Sequence, residues 1–351
     1  MTLKRIAALS VAKPDMTFTH VIHHINEDML RTCFHELDGN KAIGIDGVDK
    51  ASYGENLDNN LRDLLERMRR MAYKPGAVRQ VVIPKEGKPG ATRPLGISNF
   101  EDKIIQRAMH KLLESIYEPL FYENSYGFRP KRGCHDAIES LHAYLSTHNV
   151  ETVIDVDLSN YFGSISQNEA INVIKKKISD PRVIRYLIRM FKSGLLADGE
   201  LIVSDEGVVQ GSACSPIIAN IFAHEVIDEW IESTVKAHCS GEVKMVRYAD
   251  DIVICCQYNR DAERIKTAMA RRLLKYGLKM NEDKTKLVNF SKKEQKQGRK
   301  QETFDFLGFT FYYGKSRKGF QLVKVKTIGT RFNSKLKKQT NGLAQSEINS
   351  R

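Results

Sequence analysis

Two adjacent carboxylates, Asp250 and Asp251, stand between apolar runs at residues 243–247 and 252–256. A third, Asp157, falls at the end of the apolar run Val153-Ile154-Asp155-Val156-Asp157-Leu158. Neighbouring acids in a buried setting repel one another, and a cation makes them tolerable. Three carboxylates on neighbouring sheet edges are the ligand set that two Mg²⁺ ions need. One ion would lower the pKa of a 3′-hydroxyl nucleophile, and the other would neutralise a triphosphate and its leaving pyrophosphate. An Asp-Asp pair at a turn also has a plainer explanation, the capping of backbone amides. Taken alone, the pair favours that plainer explanation.

The elements that must position these acids are read from periodicity. Residues 152–158 form a strand, and 243–247 and 252–256 form two more around a tight turn at Ala249-Asp250. Helical spacing of apolar residues predicts helices over 26–37, 57–71, 100–120, 167–178, 181–191 and 261–276. Ser215-Pro216 opens another that runs to about residue 235, with Pro at a tolerated first-turn position. Short strands are expected at 78–84 and 199–204, a polar loop at 291–302, and a hairpin of 304–313 with 320–326 around the basic turn 314–319. Strands and helices mixed without βαβ regularity indicate an α+β domain.

Composition narrows the class. The chain has 351 residues, 41% of them hydrophobic, and a net charge of +12. From Lys284 to Lys338 there are 16 Lys and Arg against 3 Asp and Glu, a surplus of 13, so the rest of the chain carries −1. A basic field confined to one region is the usual footprint of a polyanion partner, although a solvated charged tail has the same composition. The six cysteines form no C-x-x-C pair, which argues against a zinc site and a disulfide scaffold and for a reducing, cytoplasmic compartment. No apolar run approaches the length of a membrane helix. Lys4-Arg5 followed by residues 6–12 imitates a leader peptide only faintly.

Several ordered segments together resemble the reverse transcriptases, and within them the group II intron subfamily. Tyr248-Ala249-Asp250-Asp251 is similar to the Y-x-D-D box, and Asp157-Leu158-Ser159-Asn160-Tyr161-Phe162 to the first aspartate box. Val209-Gln210-Gly211-Ser212-Ala213-Cys214-Ser215-Pro216, with Ala219-Asn220, resembles the Q-G-x-x-x-S-P box. Ser125-Tyr126-Gly127-Phe128-Arg129-Pro130, Gly44-Ile45-Asp46-Gly47-Val48, the stretch from Gly277 to Thr285, and Phe306-Leu307-Gly308-Phe309 complete the pattern in the subfamily's order.

The resemblance implies roles. Asp157, Asp250 and Asp251 would hold two Mg²⁺ ions, with Mn²⁺ as a substitute. Phe162 would lie under the incoming sugar and exclude a 2′-hydroxyl, and Gln210 would contact the nucleotide. A finger hairpin would bring Arg93 and a lysine to the triphosphate. The hairpin is about two residues longer than the usual family form, which leaves Lys85 and Lys88 both open for that lysine. Lys284 would lie near the aspartates or the phosphates, Tyr248 and Ala249 near the primer terminus, and Arg129 would help guide the template.

The implied architecture is an α+β right-hand polymerase fold. Its fingers would span 1–127 and 163–212 and its palm 128–162 and 213–312, with a basic segment at 313–351 as a rudimentary thumb. The family continues into a helical thumb, whereas this chain offers room for one basic helix around 331–339. The expected partners are an RNA template and a DNA or RNA primer, with intron RNA as a further partner; no membrane is expected. Two other readings are a non-catalytic, maturase-like RNA binder and a defence- or CRISPR-associated polymerase. Intact Asp157, Asp250, Asp251 and Gln210 favour catalysis. Ser215-Pro216 counts against the diversity-generating polymerases, which usually carry S-Q there.

Overall fold

The computed structural model describes residues 2–84, 90–197 and 199–329. Lys85 and Lys88, and the basic helix expected around 331–339, lie outside the described residues. The strands are β1 (Val78–Pro84), β2 (Thr92–Ile97), β3 (Thr152–Val156), β4 (Leu195–Ala197), β5 (Glu200–Ile202), β6 (Val243–Tyr248), β7 (Asp251–Cys256), β8 (Lys286–Asn289), β9 (Phe304–Phe306), β10 (Phe309–Lys315) and β11 (Gln321–Thr327). They form three sheets, ordered β2-β1-β4-β5, β6-β7-β3-β8 and β11-β10-β9. With the helices around them this is the mixed α+β class that the periodicity implies.

The second of these sheets is central, and its two faces meet different cores. Side chains alternate across a strand. Ile154, Val156, Ile252 and Ile254 turn to one face and join a helical core built from Phe100–Tyr117, Ser215–Ala223 and Asn259–Lys275. Val153, Val246, Val253 and Cys255 turn to the other. There they meet Ala137, Ile138, Leu141 and Leu145 of the Cys134–Thr147 helix and the aromatic layer of Phe290, Phe304, Phe306 and Phe311. Each fully buried Val, Leu, Ile or Phe among them contributes about 1.5–3 kcal/mol. Cover on both faces is why β7 reads as an unbroken apolar run after its first residue.

Most expected elements are present, with instructive differences. The helix at Pro181–Phe191 has the expected bounds, because the Asp180 carboxylate caps the Arg182 amide and Pro181 takes the first turn. The helix opening at Ser215 changes to π geometry at His224–Asp228 and again at Ile231–Val235. The polar stretch 291–302 contains a helical turn, Lys292–Lys296, because Ser291 caps the Glu294 amide. The leader-like N-terminus is a helix, Leu3–Ala12, with Ile6 buried and the Ser10 hydroxyl donating to the Ile116 carbonyl at 2.6 Å. The expected boundary at 312/313 falls inside β10.

One buried acid gives the fold a measurable pH dependence. Asp102, 4% exposed, accepts from the Tyr73 hydroxyl (2.5 Å) and the Gly76 amide (3.0 Å). Burial nevertheless pushes its carboxyl up to about 6. The folded protein therefore holds this proton more tightly than the unfolded chain, where Asp titrates near ~3.9. Its contribution is fully present below about pH 4 and is lost as pH rises through about 6. Urea unfolding at pH 4 and pH 7 should show a loss of roughly 2–3 kcal/mol from this group, absent in Asp102→Asn. An equal slope in the variant would remove Asp102 as its source.

Candidate active site

The sheet register brings the distant acids together. β3 runs antiparallel to β7, and the ladder ends with Val156 opposite Ile252. Carried one step past the ladder, the same register would set Asp157 against Asp251. β6 pairs with β7 up to Tyr248 opposite Asp251, which leaves Ala249 and Asp250 as a two-residue turn. Hairpin turns of this length need a positive φ at their first central residue, and Ala249 has φ 56°. An alanine there carries roughly 1–2 kcal/mol of strain.

Electrostatics at this turn favour a cation. Like charges on directly opposed strand residues destabilise the pair. Burial pushes the Asp250 carboxyl above the usual range, and the charge of Asp157 pushes it the same way. Asp157 keeps 42% of its side chain exposed, and the Lys284 ammonium lies 4.0 Å from its Oδ1. The segment that resembles the family's Gly277–Thr285 stretch cradles Asp157. Its carbonyl accepts from the Asn281 amide (2.8 Å), and its amide donates to the Thr285 hydroxyl (3.2 Å).

Among the described residues, no group of three or more His, Cys, Asp or Glu side chains is arranged to hold a metal ion. Mg²⁺ does not need such a group. It is held by one or two carboxylates, with waters and substrate phosphates completing the octahedron. Hard, mutually repelling carboxylate oxygens suit a hard divalent cation better than they suit zinc.

A second group of candidate residues gathers around β2. Gln210 and Gly211 form a turn stapled to β2. The Gly96 amide donates to the Gln210 carbonyl at 2.6 Å, and Gly211 has φ 107°. A Cβ on Gly211 would lie 2.4 Å from the Gly96 carbonyl oxygen, so only glycine fits. The same strand carries Arg93, exposed, opposite Ile83. A cavity of about 240 Å³ lies between these elements, lined among others by Leu95, Gly96, Asn160, Gly163 and Gln210. Phe162 is half-buried and meets Phe128 edge to face, with ring centroids 6.2 Å apart. Phe128 is 47% exposed at φ 56°, an aromatic presented to solvent by a strained backbone.

Arg129 departs from its expected role. It is buried, donates twice from Nε and once from Nη2 to the Glu118 carboxylate, and donates from Nη1 to the Tyr122 and Ser125 carbonyls. A guanidinium held inward in this way shapes the 118–129 segment and does not reach a template. On β10 and β11, Phe311 and Val323 face the core, while Tyr312 and Lys324 pair on the other face and Lys326 lies over the Tyr312 ring at 5.1 Å.

Residues 83–311 match the family described as reverse transcriptase (RNA-dependent DNA polymerase). The chain is 31% identical to protein YkfC of Escherichia coli (strain K12), over 80% of this chain and 78% of that protein. It is 30% identical to the group II intron-encoded protein LtrA of Lactococcus lactis subsp. cremoris, over 64% of this chain and 37% of LtrA. It is 34% identical to a putative COX1/OXI3 intron 2 protein of Saccharomyces cerevisiae, over 56% of this chain and 21% of the yeast protein. The match thus spans well under half the length of these intron proteins. No helix among the described residues is long and apolar enough to cross a membrane.

Proposed function

This chain belongs to the reverse transcriptases of the group II intron-encoded type, and on that premise we propose that it extends a primer 3′-hydroxyl with dNTPs along an RNA template. The observation that carries this reading is the sheet register that ends β3 beside β7 and the Tyr248–Asp251 turn, together with the Asp157 charge acting on Asp250. Asp157, Asp250 and Asp251 hold two Mg²⁺ ions, for which Mn²⁺ can substitute. When bound, the ions activate the 3′-hydroxyl and neutralise the triphosphate.

The chain's own residues do the rest. Arg93 and a lysine of its hairpin clasp the triphosphate, and charge-assisted donors of this kind act as charge moves to the leaving group. Gln210 holds the nucleotide from its glycine turn. Phe162 underlies the sugar, with Phe128 against its edge. Ala249, small, and Tyr248 receive the primer end. Lys284 shares Asp157 with the metals or turns to phosphate. Fingers at 1–127 and 163–212 and palm at 128–162 and 213–312 keep the β2-β1-β4-β5 and β6-β7-β3-β8 sheets whole but divide β10, and β10–β11 with the following basic residues would grip nucleic-acid phosphates. Six free cysteines suit a reducing cytoplasm.

The test is primer extension by the full chain on an RNA template with dNTPs and Mg²⁺. Extension supports the reading. Tight, salt-sensitive RNA binding without extension would leave instead a maturase-like binder, the alternative that the intron-protein likeness favours. Within the same assay, Gly211→Ala should raise the KM for dNTP by about tenfold, since displaced backbone at a substrate-positioning turn degrades binding. An unchanged KM would separate Gln210 from the nucleotide.

A further inference from the structure

We propose that Arg247 is a positioning residue that locks the Tyr248–Asp251 turn in its metal-binding shape, through a fully buried ion pair with Asp228; this rests on the polymerase reading above. Arg247 is the last residue of β6 before Tyr248, and both it and Asp228 are 0% exposed. All five guanidinium N–H groups find acceptors. Nε donates to Asp228 Oδ1 at 2.7 Å and Nη2 to Oδ2 at 2.6 Å. Nη2 also donates to the Ser125 hydroxyl at 2.8 Å. Nη1 donates to Asn220 Oδ1 and to the Ala249 carbonyl, both at 3.1 Å.

That last bond is the functional one. The Ala249 carbonyl belongs to the peptide that leads into Asp250. Fixing its plane fixes where the Asp250 carboxyl leaves the backbone, and it holds Ala249 at its unfavourable φ of 56°. The turn is gripped from a second side by Gly127, where a Cβ would lie 2.4 Å from the Ala249 nitrogen. Asn220 ties the two grips together, since its Nδ2 donates to the Gly127 carbonyl at 2.7 Å while its Oδ1 accepts from Arg247. The Arg247 backbone completes the frame, with its amide donating to the Asn124 carbonyl and its carbonyl accepting from Tyr126, both at 2.8 Å.

The helix geometry supports the same assignment. Asn220 and Asp228 are eight residues apart, which on a regular α-helix leaves them about 80° out of line. Asp228 closes the π-helical stretch His224–Asp228. A π turn absorbs one extra residue, so the separation acts as seven and the two side chains align to within about 20°. Both then reach one guanidinium. A buried ion pair is a poor way to stabilise a core, since apolar residues of similar volume do as well or better. Its retention under a strained, metal-binding turn is the mark of a geometric task.

The test compares the unmodified chain with Arg247→Lys and with the double variant Arg247→Met/Asp228→Leu, which replaces the pair by apolar volume. Thermal unfolding, steady-state primer extension per folded molecule, and Mn²⁺ affinity by electron paramagnetic resonance are measured for each. The double variant should melt no lower than the unmodified chain. Both variants should lose about 100-fold in kcat, keep the KM for dNTP within about threefold, and bind Mn²⁺ about tenfold more weakly. Mn²⁺ affinity within twofold of the unmodified chain's, in whichever variant folds, overturns the proposal. So does normal kcat per folded molecule. If the unmodified chain itself does not extend a primer, the polymerase reading has failed, and the Mn²⁺ arm alone still decides whether Arg247 shapes the turn.

Discussion

Asp250→Asn is expected to reduce primer extension by at least about a thousandfold, while RNA binding stays within about threefold of the unmodified chain. A thousandfold is about 4 kcal/mol of transition-state stabilisation, a reasonable share for a ligand that holds charge against a developing leaving group. Asparagine keeps the shape of the side chain, so the Ala249–Asp250 turn and the hydrogen bond from Arg247 to the Ala249 carbonyl persist. What is lost is one negative charge in a place where burial and Asp157 already disfavour it. Without that charge the repulsion between position 250 and Asp157 is relieved, so the variant should melt no lower than the unmodified chain. A variant that melts normally and still extends primers at the unmodified rate would remove Asp250 from the metal site. The plainer explanation of the turn, backbone capping, would then stand.

The second large effect concerns the sugar. Phe162→Ala should raise the efficiency of ribonucleotide insertion relative to deoxyribonucleotide insertion by about 100-fold, the scale on which a pocket wall distinguishes one added hydroxyl. The ring is well fixed. Tyr161, before it, is buried and donates from its hydroxyl to the Ala219 carbonyl at 2.7 Å, and the Phe162 carbonyl accepts from the Val208 amide at 2.9 Å. Asn160 begins the short helix in the left-handed region at φ 46°, which sets the direction in which Phe162 leaves the strand. Phe128→Ala should have a smaller effect of the same sign, because Phe128 meets only the edge of the ring. Single-nucleotide insertion with paired dNTP and rNTP substrates measures both. A discrimination ratio unmoved in Phe162→Ala, with dNTP insertion intact, would assign the ring to the core and not to the sugar.

How far the site could be read in advance depended on the kind of signal. The Asp250-Asp251 turn was legible because apolar strands flank it on both sides. Asp157 was legible as the end of a third apolar strand, but its place against β7 is a matter of register, which one strand does not state. Arg247 was not legible. A single arginine in an apolar run looks like a residue that alternates to solvent, and its partner Asp228 comes into line only through a π turn that α-helical spacing does not anticipate. Arg129 was expected to guide the template only through the resemblance of the 125–130 segment; Glu118, eleven residues earlier, draws it inward. The Cys134–Thr147 helix escaped notice because Ala137, Ile138, Leu141 and Leu145 are spaced helically but interleaved with His, Glu, Tyr and Ser.

The order of strands along the chain has a consequence for how the protein is made. β3 lies inside the central sheet, yet it is the first of that sheet's strands to be synthesised. Asp155 pairs with Val253, 98 positions later, and with Lys286, 131 positions later. At ~5–20 residues per second, β3 would wait roughly 5–20 s for its first neighbour and longer for its second. During that interval Val153, Ile154 and Val156 form an apolar strand with both hydrogen-bonding edges open, the condition under which nascent chains associate with one another. Such long-range pairing is slow to form in the finished chain as well. The carboxylates should therefore come together late, so a chain caught partway through folding would have its helices and lack its metal site.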